Sequence, residues 1–271
     1  MTTDLHLRNR DQDVAQDQQV MFTEGITVYD GAEYIDSDKT IRNRLISNRN
    51  KDLLRAIFVE FLGTLIYVFI STNPNFLLAP GFVLTSLMVA FGKISGGHFN
   101  PAITLAVSIS SGFSKTTIFY PIAQIIGGIA GAGLTKAVHF SFEDHSHYRT
   151  VLDRSVEPEY GIICEGLITF ILVITYLMSI IDKRNKDSSM SPIAIGFVVA
   201  ANHFATFRVT GGSMNPARSF GPVVCMSNTQ INHIIWKYHY VYWVGPTAGS
   251  IIAAVVYRFI LSTETSCCIN C

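Results

Sequence analysis

Two stretches of this 271-residue chain are apolar yet too short to cross a bilayer, and they open alike. The first, apolar from Phe99 to Ile109, begins Gly96-Gly97-His98-Phe99-Asn100-Pro101-Ala102; the second, apolar from Met214 to Met226, begins Gly211-Gly212-Ser213-Met214-Asn215-Pro216-Ala217. Asn is a preferred helix N-cap and Pro is favoured at the first helical position, so each Asn-Pro-Ala predicts a helix start. About ten residues at 1.5 Å each give about 15 Å, half the roughly 30 Å of hydrocarbon in a bilayer. Each stretch therefore reads as a half-helix, one dipping in from each face.

The rest of the chain supplies the membrane setting. Windows of about 20 apolar residues, the length a span requires, fall near 53–72, 75–95, 117–139, 160–181, 190–207 and 240–261. The chain is 49% hydrophobic and 15% charged, and its mean hydropathy is +0.33. Residues 1–52 hold 17 of its 40 charged side chains, ten acidic and seven basic. This divides the chain into a polar, disordered cytoplasmic tail (1–50), a membrane domain (51–261) and a short Cys-rich end (262–271). The balance excludes an ordinary cytosolic enzyme. A formal net charge of zero argues against a nucleic-acid partner held by a basic face.

Residues 1–13 show no basic region leading into an apolar core, so no cleaved signal peptide is expected. Five cysteines, Cys164, Cys225, Cys267, Cys268 and Cys271, are an odd and scattered set and do not make a disulfide framework. Six crossings put both ends on one side. Lys39, Arg42, Arg44, Arg49, Lys51 and Arg55 beside the first span, with Lys183, Arg184 and Lys186 in the fourth-to-fifth loop, make that side cytoplasmic.

The duplication extends beyond the two motifs. Glu60 in Glu-Phe-Leu-Gly-Thr-Leu recurs as Glu165 in Glu-Gly-Leu-Ile-Thr-Phe, and Gln124 in Gln-Ile-Ile-Gly-Gly recurs approximately as Pro246 in Pro-Thr-Ala-Gly-Ser. Three spans and one half-helix make a unit that occurs twice. Three is odd, so the copies are inverted, an arrangement that places the functional site of transport proteins near the midplane. Irregular backbone at that depth needs protein burial or a water-filled cavity. Two half-helix N-termini meeting there bring partial positive charge to a narrow lumen. Asn100 and Asn215 can cap their helices with the side-chain oxygen and aim an amide donor at a passing oxygen.

With its paired Asn-Pro-Ala motifs, the second continuing as Asn-Pro-Ala-Arg-Ser-Phe-Gly-Pro, the chain resembles the aquaporins of the major intrinsic protein family over roughly residues 50–261. The resemblance implies an all-α fold of six transmembrane helices and two re-entrant half-helices, one pore per chain, a homotetramer, and a plasma-membrane location. It makes Asn100, Pro101, Ala102, Asn215, Pro216 and Ala217 the pore motifs. It makes Arg218 the cationic member of the outer selectivity filter, with His203, Gly212 and Pro80 at the other three filter positions. Water-selective relatives usually carry Phe where Pro80 stands, and many carry Cys where Gly212 stands, so both departures remove bulk. Pro80 has a second reading, as a kink in the second span, and His203 a second reading as a satisfied core residue. Glu60 and Glu165 are proton-relay candidates as intramembrane carboxylates; the resemblance makes them braces for the re-entrant loops. His98 either lines the cytoplasmic mouth or braces its own loop.

The expected permeants are water and small neutral solutes crossing a lipid bilayer. Ser219 directly after Arg218 departs from the glycerol-conducting relatives, which carry Asp there. The two Gly-Gly phrases and Lys136-Ala137-Val138 resemble the aquaammoniaporin branch, credited with ammonia and hydrogen peroxide, although His203 departs from it. The rival readings are a coupled secondary transporter and a non-conducting structural or adhesion member of the fold. No catalytic, metal or cofactor site is expected. His139, His145, His147, His233 and His239 read as solvated residues of the outside face.

Overall fold

The computed structural model describes residues 33–72, 77–138, 150–185, 188–225 and 236–262, with side chains from residue 48 onward. All regular structure among them is helical. In chain order the helices are α1 Glu33–Ser71, α2 Ala79–Ser95, α3 Pro101–Ser111, α4 Lys115–Val138, α5 Pro158–Tyr176, α6 Ser191–Thr206, α7 Pro216–Cys225 and α8 Val241–Val256. Helices α5 and α8 each run on into a π-helical turn, Leu177–Ile181 and Tyr257–Leu261. Two compact units divide the chain at Lys51 and Asp52. The described residues of the first are helical from Glu33, inside the stretch that the sequence reading assigned to the polar tail. Residues 1–32, His139, His145, His147, His233, Asn73-Pro74 and the terminal cysteines lie outside the described residues.

Among the described residues, four segments are long and apolar enough to cross a bilayer: Asn48–Ser71, Lys115–Val138, Pro158–Ile181 and Trp236–Leu261. The second and fifth spans are shorter than the windows suggested, with 17 residues in α2 and 16 in α6, or about 25 Å at the helical rise. The reason in α2 is Pro80. It occupies the first turn, where its fixed φ and missing N–H suit a helix start, so it opens the helix and does not kink it. Helices α3 and α7, of 11 and 10 residues, are the two half-helices.

The halves α1–α4 and α5–α8 repeat each other in their packing. On α4, a Cβ at Gly127 would strike the Phe61 carbonyl and Leu65 nitrogen of α1; on α8, a Cβ at Gly249 would strike the Gly166 carbonyl and Phe170 nitrogen of α5. Both places stand in the same register to Glu60 and Glu165. Small residues at such crossings let backbones approach, which is how helices associate where lipid offers no hydrophobic drive. Between the halves, Gly81 of α2 abuts the Gly196 carbonyl of α6, and Gly196 in turn faces the Gly81 carbonyl.

Outside the spans, Asp182 accepts from Arg184 Nε at 2.7 Å and Nη2 at 2.8 Å, and Arg184 Nη2 also donates to the Leu261 carbonyl at 2.8 Å. These bonds hold the Asp182 carboxyl down to about 2. A depressed carboxylate pKa adds stability that is complete above the unfolded value near 4 and is lost as pH falls toward the folded one. Wild type is therefore expected to melt above Asp182→Asn by a constant margin between about pH 5.5 and 8, and that margin is expected to shrink only as pH falls from about 4 toward 2. Substitution Gly196→Val drives a side chain into Thr85 and the Gly81 carbonyl; a cost of about 1–3 kcal/mol or more is expected to appear as a lowered melting temperature in detergent.

Candidate functional site

The two re-entrant loops turn through glycine and then through a strained non-glycine residue. Gly96 and Gly97 have φ of 94° and 68°, Gly211 and Gly212 of 81° and 55°, and Phe99 and Met214 follow at 47° and 57°. Left-handed backbone at a bulky residue costs of order 1–3 kcal/mol and persists only where its surroundings over-determine it. Here they do. Glu60 accepts from Ser95 Oγ at 2.6 Å and from the backbone N–H of His98 at 3.0 Å and Phe99 at 2.7 Å. Glu165 repeats the pattern, accepting from Thr210 Oγ1 at 2.6 Å and from the N–H of Ser213 at 2.9 Å and Met214 at 2.8 Å. Both carboxylates are fully buried.

Further bonds brace each loop. Tyr120 donates to the Ser95 carbonyl at 3.0 Å, and Tyr242 to the Thr210 carbonyl at 2.6 Å. Gln124 Nε2 donates to Glu60 at 2.8 Å and to Thr104 Oγ1 at 3.0 Å.

The loops meet through their asparagines. Asn100 Oδ1 accepts from the Ala102 N–H at 2.9 Å and Asn215 Oδ1 from the Ala217 N–H at 3.0 Å, each capping its own half-helix. Asn100 Nδ2 donates to the Met214 carbonyl and Asn215 Nδ2 to the Phe99 carbonyl, both at 2.9 Å. An amide nitrogen carries two hydrogens, so each asparagine keeps one donor. Both line a cavity walled by Tyr67, Leu84, Ile103, Leu172 and Val199, which leaves about 10 Å³ for the centres of water molecules, room for about one.

Arg218, in the first turn of α7, is buried. Its Nε donates to Ser71 Oγ at 3.2 Å, Nη2 to the Ser71 carbonyl at 3.1 Å, and Nη1 to the Gly211 and Gly212 carbonyls at 3.4 and 3.3 Å. Four of the five guanidinium N–H groups thus have protein acceptors and one is left. His203 Nδ1 lies 3.1 Å from the same Gly212 carbonyl. A carbonyl only accepts, so Nδ1 carries the hydrogen and the neutral ring presents Nε2 as an acceptor. His203, Gly212 and Arg218 therefore converge. Pro80 is buried at the start of α2 beside Gly81, which touches Ala200 one turn before His203; it makes no polar contact with the other three.

His98 is buried, with Nδ1 3.0 Å from Thr104 Oγ1 and its ring edge-on to Tyr120 and Tyr176. It also lines the cavity. His239 is no solvated residue. It is 5% exposed and enclosed by Phe220, Trp236, Tyr242 and Trp243, because the turn that enters α8 folds it against Phe220 of α7.

The sequence reading missed Ser71 and Tyr67. Their signal was present: Glu60, Thr64, Tyr67 and Ser71 follow one another at helical spacing, so the face that carries the loop brace also carries both. Thr210, Tyr120 and Tyr242 offered no such signal.

Residues 47–257 match the family model described as major intrinsic protein. The chain is 36% identical over 227 residues to Aquaporin-4 of Mus musculus, covering 78% of this chain and 68% of that protein. It is 36% identical over 221 residues to Aquaporin-5 of Sus scrofa, covering 77% and 81%. The X-ray structure of the aquaglyceroporin from Plasmodium falciparum superposes with a TM-score of 0.68 at 20% identity, over 77% of this chain and 96% of that one; at that identity it speaks for the fold. Together these define an integral membrane protein of the channel-forming class. The chain belongs to the major intrinsic protein family.

Removing the acceptor of one loop isolates its weight. In Glu165→Gln the amide NH₂ faces donors where the carboxylate accepted, and each unpaired buried donor costs about 1–3 kcal/mol. A lowered melting temperature is expected, and Glu165→Ala, which leaves all three donors unpaired and opens a cavity, is expected to lose more than Gln, whose remaining oxygen still accepts.

Proposed function

We infer that this protein is a passive water channel. The observation that carries the reading is the reciprocal bond between the half-helices. It fixes two amide donors at the meeting point of two helix N-termini, in a cavity with room for about one water molecule. A water oxygen accepts from those donors, while a cation meets the positive ends of both helices. Under this reading Asn100, Pro101, Ala102, Asn215, Pro216 and Ala217 form the central constriction, and Glu60 and Glu165 are the braces that hold it. Arg218 and His203 make a filter of one free donor and one free acceptor, which matches a water molecule and repels cations. Gly212 adds its carbonyl to that filter and Pro80 its outer wall, and His98 lines the cytoplasmic mouth. Both termini are cytoplasmic, the protein resides in the plasma membrane, and it assembles as a homotetramer with a pore in each chain. No step of this function requires a catalytic group or cofactor.

The test is stopped-flow shrinkage of proteoliposomes under an osmotic step, beside protein-free vesicles. Fast shrinkage with a low activation energy is expected; shrinkage no faster than lipid alone overturns the reading. Unit charges 4 Å apart repel by about 4 kcal/mol at an effective dielectric of 20. Arg218→Val is accordingly expected to keep the water flux and to gain a measurable cation or proton leak.

The absence of bulk at Pro80 and Gly212 favours a second class of permeant, small neutral solutes such as hydrogen peroxide or ammonia. Peroxide uptake above that of empty vesicles is the expected outcome, and uptake equal to theirs removes this extension while leaving the water pore intact.

A further inference from the structure

The stripe on α1 serves the site at each turn. Glu60 holds the first loop, Thr64 donates back to the Glu60 carbonyl at 2.7 Å, and Ser71 takes two bonds from Arg218. Tyr67 is the member whose polar atom has no such employment. Its side chain is 3% exposed and lines the cavity with Asn100 and Asn215. Among the described residues its hydroxyl makes no hydrogen bond to protein, yet it is not one of the buried polar atoms sealed without a partner. It opens on the lumen. Ser71 lies one turn beyond it on the same face, so the hydroxyl stands between the asparagine pair and the residue that anchors Arg218.

The repeat sharpens the point. Seven residues after Glu165, as Tyr67 is seven after Glu60, α5 carries Leu172, which lines the same cavity. Leu84, Ile103 and Val199 complete an apolar wall. Asn100 and Asn215 offer this space donors only, since each oxygen is committed to its own helix. A buried tyrosine hydroxyl ordinarily finds a partner, and here the one available is the molecule in the pore.

We propose that the Tyr67 hydroxyl is a hydrogen-bonding station for the permeating molecule, accepting from a water whose oxygen is turned toward the asparagines. It rests on the water-channel reading. A station that holds the permeant deepens a well along the path, and conduction requires binding weak enough to leave. Its removal speeds the file.

The experiment compares osmotic permeability per protein, and its temperature dependence, in vesicles carrying wild type, Tyr67→Phe or Leu172→Asn at equal density. Tyr67→Phe deletes one oxygen and keeps the ring; a gain of about two- to fivefold, the weight of one net hydrogen bond, with a lowered activation energy is expected. Leu172→Asn adds a polar group in nearly the same volume at the matching place and is expected to slow the file by a similar factor. A merely structural Tyr67 predicts the reverse for Tyr67→Phe, a slower flux or an unchanged one, and either result overturns the proposal. Should Tyr67→Phe fail to fold, Leu172→Asn decides: flux at or above the wild-type rate overturns it. Wild-type flux no greater than that of bare lipid instead overturns the water-channel reading.

Discussion

Two carboxylates placed where water cannot reach them hold the centre of this protein together. Glu60 and Glu165 are each fully buried, and a lone buried charge is costly unless several donors surround it. The re-entrant loops supply those donors, because a chain that turns inside the membrane exposes N–H groups with no helix to take them. The two needs answer each other. The loop backbone satisfies the carboxylate, and the carboxylate permits the left-handed turns at Phe99 and Met214 that aim each Asn-Pro-Ala at its counterpart. Everything downstream, including the asparagine lock and the position of Arg218, inherits its geometry from these bonds.

The inverted repeat builds a symmetric frame, and function enters where the symmetry fails. Tyr120 and Tyr242, Gly127 and Gly249, Ser95 and Thr210 do the same work in the two halves. Three of the differences between the halves bear on the two mouths. Arg218 on α7 stands where α3 has Ile103, so one outlet of the lumen carries a charge and the other does not. Ser71 ends α1 by accepting from that arginine, whereas Tyr176, its match on α5, donates to the Gly96 carbonyl at 2.8 Å. His98 stands where the second loop has Ser213, whose hydroxyl is spent inside the loop on the Asn215 carbonyl at 2.9 Å. A symmetric scaffold fixes the narrow centre, and these substitutions give the two mouths different chemistry.

Much of this was legible in the sequence, for physical reasons that can be named. Asn-Pro-Ala announces a helix start because a cap and a proline are local requirements, and its two occurrences within short apolar runs demand half-helices. Glu60 and Glu165 stood out because a carboxylate in an apolar window must have a partner. The extent of α2 was less legible, since hydropathy continues through residues 75–78 while Pro80 decides where helical hydrogen bonding begins. His239 was misread for a related reason: its position near a span end says nothing of the rings of Phe220, Trp236, Tyr242 and Trp243 that close over it. Two of the four bonds of Arg218 go to Ser71 at the far end of α1, and no local rule connects residues 71 and 218. Only packing does.

The same packing settles the field along the pore. A half-helix carries partial positive charge at its N-terminus and an equal negative charge at its C-terminus, and over so short a length the two ends tend to offset each other. In this protein the negative ends are met by cations. Arg258 Nη1 donates to the Ile109 carbonyl at 2.8 Å near the end of α3, and Lys136 Nζ donates to the Cys225 carbonyl at 2.9 Å at the end of α7. Both come from the helix that closes their own repeat, α4 for Lys136 and the end of α8 for Arg258, so the device is duplicated with the fold. With the outer ends neutralised, the inner ends at Asn100 and Asn215 act on the lumen with less cancellation. Arg218 then adds to a field already positive, and the barrier to cations is spread over the length of the pore and does not rest on one side chain.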